Sequence, residues 1–197
     1  MDSRRVARLL GGLLQPAIPG FFVALFASQG FEGGLTPRLF GVAAIITSFS
    51  VGVPLLGLWW AHRQGWTGGD LWGDRRESRV YFYPAAALGL GLSAAGFTWL
   101  YPFPLARAMV LVAAVVLAIM AVLNRWWKVS VHSAGNAGIA AAATWMYGEK
   151  AALLFLLVPL TAWARVKSGH HSIFETALGA LIGAGVTGLL LWMWPPF

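Results

Sequence analysis

Three of the four histidines, His132, His170 and His171, fall in short polar stretches that also hold Arg75, Arg76, Arg79, Lys128 and Arg165. Imidazoles among fixed cations suit a phosphate dianion, because Arg forks match its oxygens and a histidine can attack phosphorus or deliver a proton. Phosphoryl transfer asks for little more than such positioning and charge neutralisation. The stretch 165–175, RVKSGHHSIFE, is the most informative: Arg165 precedes His171 by six residues, and His171 precedes Glu175 by four. A helix starting near His171 would place Glu175 on the same face one turn later. There its carboxylate would accept the Nδ1–H of His171 and turn Nε2 toward phosphorus, the pairing of a nucleophile with its orienting group. Gly169 would let the backbone turn sharply into the site. Read as structure alone, His170 and His171 are interfacial residues capping a helix, and spacing does not choose between the two.

The stretch 124–136, NRWWKVSVHSAGN, supplies Ser130 as a donor to phosphate and His132 as a general acid for the leaving oxygen. Lys128 adds a cation. The small residues from Ser133 to Gly138 permit close packing of the helix that follows, and its first N–H groups suit an anion. Ser130 or Ser133 is equally a helix N-cap, a role compatible with the first. His170 reads as a neighbour and His62, ending an apolar run, as an interfacial residue. No two carboxylates are spaced to share a magnesium ion.

These residues need a scaffold, and composition restricts what it can be. Of 197 residues 58% are hydrophobic and 11% charged, with 14 Lys and Arg against 7 Asp and Glu. The mean hydropathy is +0.70. A soluble domain carries about 25% charged residues, so a water-soluble globule is excluded, as are disorder, collagen and coiled coil. The net charge of +7 reads as loop cations of a membrane protein, with no nucleic-acid partner. With no cysteine there is no disulfide or thiol metal site. Residues 9–31, 39–61, 80–106, 108–124, 129–148, 151–164 and 176–197 contain no Asp, Glu, Lys or Arg. A helix needs about 20 residues to cross a bilayer, so five or six of these runs qualify by length. The 151–164 run is short and needs snorkelling at its ends. Pro16 and Pro19 make the first run the weakest span. Breaks are expected at 30–37, 65–73, 101–104, 148–150 and 168–169. The predicted fold is all-α: a polytopic membrane bundle of six or seven helices in one domain, 1–197. Ser3-Arg4-Arg5 resembles the start of a twin-arginine signal, but no cleavage site follows, so the segment reads as retained.

Two apolar runs separate the polar stretch 61–79 from 124–136, and two more separate that from 165–175. An even number of crossings puts all three stretches on one membrane face. Tryptophans form two belts, one near that face (among them Trp59, Trp60, Trp126 and Trp163) and one opposite, with Trp99, Trp145 and Trp192. That face would hold eleven of the Lys and Arg against three; without the five proposed ligands the bias is six against three. The cytoplasmic and outer orientations both stay open.

The three stretches resemble the signature motifs of the type 2 phosphatidate phosphatase superfamily, which includes lipid phosphate phosphatases and vanadium haloperoxidases. The third motif of that family, Ser-Arg-x5-His-x3-Asp, is met by Ala164-Arg165-x5-His171-x3-Glu175, with Ala for Ser and Glu for Asp. Its second, Pro-Ser-Gly-His, is met by Val129-Ser130-Val131-His132 in the Ser and His alone. Its first, Lys-x6-Arg-Pro, is replaced by a run ending Arg75-Arg76-Glu77-Ser78-Arg79, similar to the Arg-Glu-x-Arg variant of some prokaryotic members. The resemblance covers about residues 60–190. It implies a phosphohistidine on His171, Glu175 holding the ring, His132 as proton donor and then base, and Arg165, Ser130 and one or two of Arg75, Arg76 and Arg79 on the phosphate oxygens. It also implies the absence of a metal or other cofactor, with which the lack of a carboxylate pair spaced for magnesium agrees.

The expected function is therefore that of a multi-pass cell-membrane phosphatase acting on an amphiphilic phosphorylated lipid. Phosphatidate, phosphatidylglycerol phosphate and long or short isoprenoid diphosphates are all open. The alternative is a non-catalytic carrier or binder of anionic lipids, which needs the cations but not two placed imidazoles. A haloperoxidase fits poorly, because the known ones are soluble.

Overall fold

The computed structural model describes residues 3–15, 40–41, 48–68, 75–76, 78–99 and 104–193, and within these every regular element is a helix, with no strand. The helices are α1 (Ser3–Leu13), α2 (Val53–Arg63), α3 (Arg79–Trp99), α4 (Pro104–Leu123), α5 (Val131–Tyr147), α6 (Leu157–Lys167) and α7 (Ile173–Trp192). A π-helical turn, Ser48–Gly52, leads into α2, and a 3₁₀ segment, Glu149–Leu156, leads into α6. Helices α3, α4 and α7 are long and apolar enough to cross a membrane. At 1.5 Å per residue, 20 residues reach about 30 Å, the thickness of the hydrocarbon layer. Only 33%, 33% and 28% of these spans is buried inside the protein, so most of their apolar surface is left for lipid.

Where the residues are described, the breaks fall where Gly and Pro were expected to place them, while the break expected at 30–37 and most of that at 65–73 lie outside the described residues. Helices α3 and α4 flank residues 100–103, and α5 ends at Gly148, whose φ of +73° suits only glycine. The first apolar run contributes Leu9 to Leu13 to α1, and Pro16 and Pro19 lie outside the described residues. The short run 151–164 is extended in a way that hydropathy does not show. It joins an 8-residue 3₁₀ segment to the 11 residues of α6, and the steeper 3₁₀ rise brings the total to about 32 Å.

The chain divides into two compact units, Met1–Val23 with Val129–Phe197, and Ala24–Lys128. In the second of these, Leu90 and Phe97 of α3 pack on Val110 of α4, with Ala94, Ala106, Ala113, Ala114 and Leu117 around them. Pro54 sits at the first turn of α2, where a missing N–H costs nothing. Helix α2 closes with the N–H of Trp66 on Ala61 O and that of Gly65 on His62 O, Gly65 having φ +77°.

In the first unit, α5 lies along α7 with backbone close to backbone. A Cβ at Gly179 would stand 2.5 Å from Ser130 O, one at Gly183 would overlap Ala134 O, and one at Gly138 would stand 3.1 Å from Thr187 Oγ1. Small residues four apart on both helices therefore face each other, the packing that lets helices associate without a hydrophobic drive. Helix α1 packs on α6 through buried Ala7 and Gly11. Fully buried Asn136 of α5 donates from Nδ2 to Leu14 O at 2.9 Å and to Thr161 Oγ1 at 2.8 Å, tying α1, α5 and α6 together.

Replacing Gly183 by Leu forces α5 and α7 apart and is expected to lower stability by about 3 kcal/mol. A thermal melt in detergent checks this against Gly185→Leu, whose Cβ meets open space and which should melt like the parent protein.

Candidate functional site

The corner between α6 and α7 is built by two helix caps set back to back. Arg165 and Lys167 occupy the last turn of α6, where cations favour the helix dipole. Beyond it Gly169 takes φ +79°, and its N–H returns to Val166 O at 3.0 Å. The N–H of His170 returns to Arg165 O at 3.0 Å and that of His171 to the same oxygen at 3.3 Å. This is the glycine-closed helix end that turns the chain through a left-handed residue. Ser168 Oγ reinforces it by donating to Ala164 O at 2.7 Å.

Three residues later the next helix opens with a capping box. Ser172 Oγ accepts from Glu175 N at 3.2 Å, and Ser172 N donates to Glu175 Oε2 at 2.9 Å. The same Oε2 stands 3.4 Å from His171 Nδ1. The imidazole of His171 is 0% exposed and the Glu175 side chain 21%. The one-turn spacing of His171 and Glu175 thus does bring carboxylate and ring together. Helix α7 begins at Ile173 rather than at His171, however, and Glu175 serves the helix end as well as the ring. Ser172-x-x-Glu175 is the sequence signature of that second role, and the spacing argument passed over it.

Ser130 joins this corner through its backbone, its N–H donating to Glu175 O at 3.1 Å. Fully buried, it is the N-cap of α5: its Oγ accepts from Ser133 N at 3.3 Å and from Ser133 Oγ at 3.2 Å. His132 follows in the first turn of α5, partly buried. Arg165, His171, Glu175 and Ser130 are therefore linked by backbone hydrogen bonds and one imidazole–carboxylate contact within a single unit. Two contributors were not evident from sequence. Gly11 of α1 faces Arg165, a Cβ there standing 4.0 Å from Nη1, and Asn136 holds the end of α1. Neither lies in a motif. His170 is held aside, its Nδ1 2.7 Å from Ser168 Oγ, and His62 pairs with Thr67 Oγ1 at 3.1 Å beyond the end of α2.

Arg75, Arg76, Arg79 and Lys128 belong to the other unit. Arg75 donates to Gly68 O at 3.3 Å. Arg76 donates to Arg125 O at 3.2 Å and Trp126 O at 3.5 Å, the carbonyls past the end of α4, while Asn124 Nδ2 donates back to Arg76 O at 3.0 Å. Arg79 opens α3 and is buried, 6% exposed. Lys128 is partly buried.

Compared with known proteins, the chain has no significant match to a family model, a curated protein or a solved structure.

The double duty of Glu175 separates two substitutions. Gln at this position still reaches the Ser172 N–H, so Glu175→Gln should melt within a degree or two of the parent. Ser172→Ala removes the cap oxygen and should cost about 1 kcal/mol. Thermal melts of the two variants side by side check this.

Proposed function

We propose that this chain is an integral membrane phosphatase that hydrolyses a lipid phosphate or isoprenoid (di)phosphate through a phosphohistidine on His171. The observation that carries the reading is the Glu175 carboxylate at 3.4 Å from Nδ1 of the buried His171 imidazole, with the backbone carbonyl of Arg165 closing the same corner. A carboxylate on Nδ1 fixes the tautomer in which Nε2 carries the lone pair, which is what a nucleophilic imidazole needs. Nε2 attacks phosphorus and the bond to the leaving oxygen breaks, with His132 giving that oxygen its proton. His132 then takes a proton from water as the water attacks phosphorus, the P–N bond breaks, and phosphate leaves with both histidines restored. Arg165 neutralises charge on the phosphate oxygens, and Ser130, at the start of α5, donates to them in this reading.

The resemblance of the three sequence stretches to the type 2 phosphatidate phosphatase motifs supports the same chemistry. On that sequence ground the phosphate-binding set extends to Arg75, Arg76, Arg79 and Lys128. It also supports a six- or seven-span phosphatase core in the cell membrane, with the apolar helices giving an amphiphilic substrate access through lipid.

Phosphate release from detergent-solubilised protein tests the proposal on a panel of phosphatidate, phosphatidylglycerol phosphate and isoprenoid diphosphates. At least one should be hydrolysed. His171→Ala should reduce release to background, and His132→Ala should lower it by about 10²–10⁴-fold. Unchanged release from His171→Ala would sink the mechanism. Binding of the panel without release by any variant, parent included, would identify an anionic-lipid carrier instead.

A further inference from the structure

Residues of α1, α6 and α7 line an open groove of about 370 Å³. This is within the range of small-ligand sites. Its walls include Trp163 and Val166 of α6 and Ile173 and Thr176 of α7, and its lining holds two cations, Arg4 of α1 and Lys167 at the end of α6. Among the described residues, no carboxylate lines it. The nearby Glu175 carboxylate is engaged instead with Ser172 N and His171 Nδ1.

The wall continues onto exposed apolar surface: Ile173 is 74% exposed, Phe174 55% and Trp163 43%. Apolar walls of this kind do nothing for a small hydrated anion but match an acyl chain. Tryptophan beside Lys and Arg is the composition of the headgroup level of a bilayer, where long cationic side chains reach for phosphate. Helix α1 extends the pattern. It exposes Arg4, Arg5 and Arg8 together with Leu9 and Leu13, contains no acidic residue, and is docked on α6 by Ala7 and Gly11. A basic amphipathic helix of this kind lies in the interface of an anionic membrane.

We propose that this groove binds one anionic phospholipid, with Arg4 and Lys167 on its phosphate and Trp163, Val166 and Ile173 along its upper acyl chain. The proposal rests on the lining of the groove and not on the phosphohistidine chemistry proposed for His171.

Native mass spectrometry of the full chain, released from detergent containing equal phosphatidylglycerol and phosphatidylcholine, reads the binding directly. Both lipids are phosphodiesters, so hydrolysis of a phosphomonoester does not enter. One phosphatidylglycerol should be retained in preference, and Arg4→Gln/Lys167→Gln should reduce that preference by about thirtyfold, the worth of two cations at an anionic surface. Arg5→Gln, on the same helix but outside the groove, should change it by less than about threefold if the contact is local rather than general charge attraction. His171→Ala should leave it intact. The proposal is overturned by equal retention of the two lipids, by a preference that survives the double variant, or by one lost equally in Arg5→Gln or His171→Ala. Displacement of the lipid by inorganic phosphate would likewise overturn it, by showing an anion pocket.

Discussion

The carbonyl oxygen of Arg165 is the point on which the corner turns. It accepts from the backbone of both His170 and His171, because Gly169 reverses the chain in a left-handed conformation. That closure fixes where the nucleophile candidate stands relative to the arginine six residues earlier. The next cap begins at once, and Glu175 reaches back to the Ser172 N–H and to His171 Nδ1 with the same oxygen. Two helix ends that must satisfy their own backbone groups in any case thereby place the Arg165 carbonyl, the His171 imidazole and the Glu175 carboxylate together. The pre-organisation comes from the backbone rather than from side chains finding one another, and that suits a site which must act on charge with little reorganisation.

What holds the corner in place is packing that does not rely on apolar burial. In lipid, association of helices draws on close contact and interhelical hydrogen bonds. Helix α7 meets α5 at Gly179 and Gly183, and the backbone of Ser130 bonds to that of Glu175, so the start of α5 is pinned to the first turn of α7. His132 is carried by that first turn. Asn136 adds a buried polar tie across three helices, a contact worth most where no water competes. The same tie holds the far end of the helix that carries Arg4, since Asn136 donates to the carbonyl of Leu14.

Much of this was legible in the sequence. The scarcity of charge announced the helical, lipid-facing character, and the Gly and Pro positions marked the helix breaks, because each carries a backbone constraint that local sequence cannot hide. The spacing of His171 and Glu175 indicated their contact, although the cap at Ser172 makes it and not a helical turn through His171. The rest was hidden for physical reasons. Ser172-x-x-Glu175 signals a capping box, but an argument directed at catalysis assigns the carboxylate to the histidine alone. The 3₁₀ segment before α6 reads like any apolar run, as hydropathy carries no information on rise per residue. Helices apolar on every side show no periodic face, so the pairing of α5 with α7 had to come from small residues. Asn136 meets Leu14 across 122 positions, and nothing local in either segment points to the other.

The account rests on phosphorus passing through His171, and a covalent intermediate is the direct evidence for that. The parent protein and His132→Ala, which lacks the base for water attack as well as the acid for the leaving oxygen, should each be quenched after brief incubation with a lipid phosphate that the parent protein hydrolyses, then digested at neutral to alkaline pH. Mass spectrometry should find an acid-labile phosphate on the peptide containing His171, absent from either protein once it carries His171→Ala. Phosphate on another residue, or hydrolysis by the parent protein that persists without His171, would contradict the account.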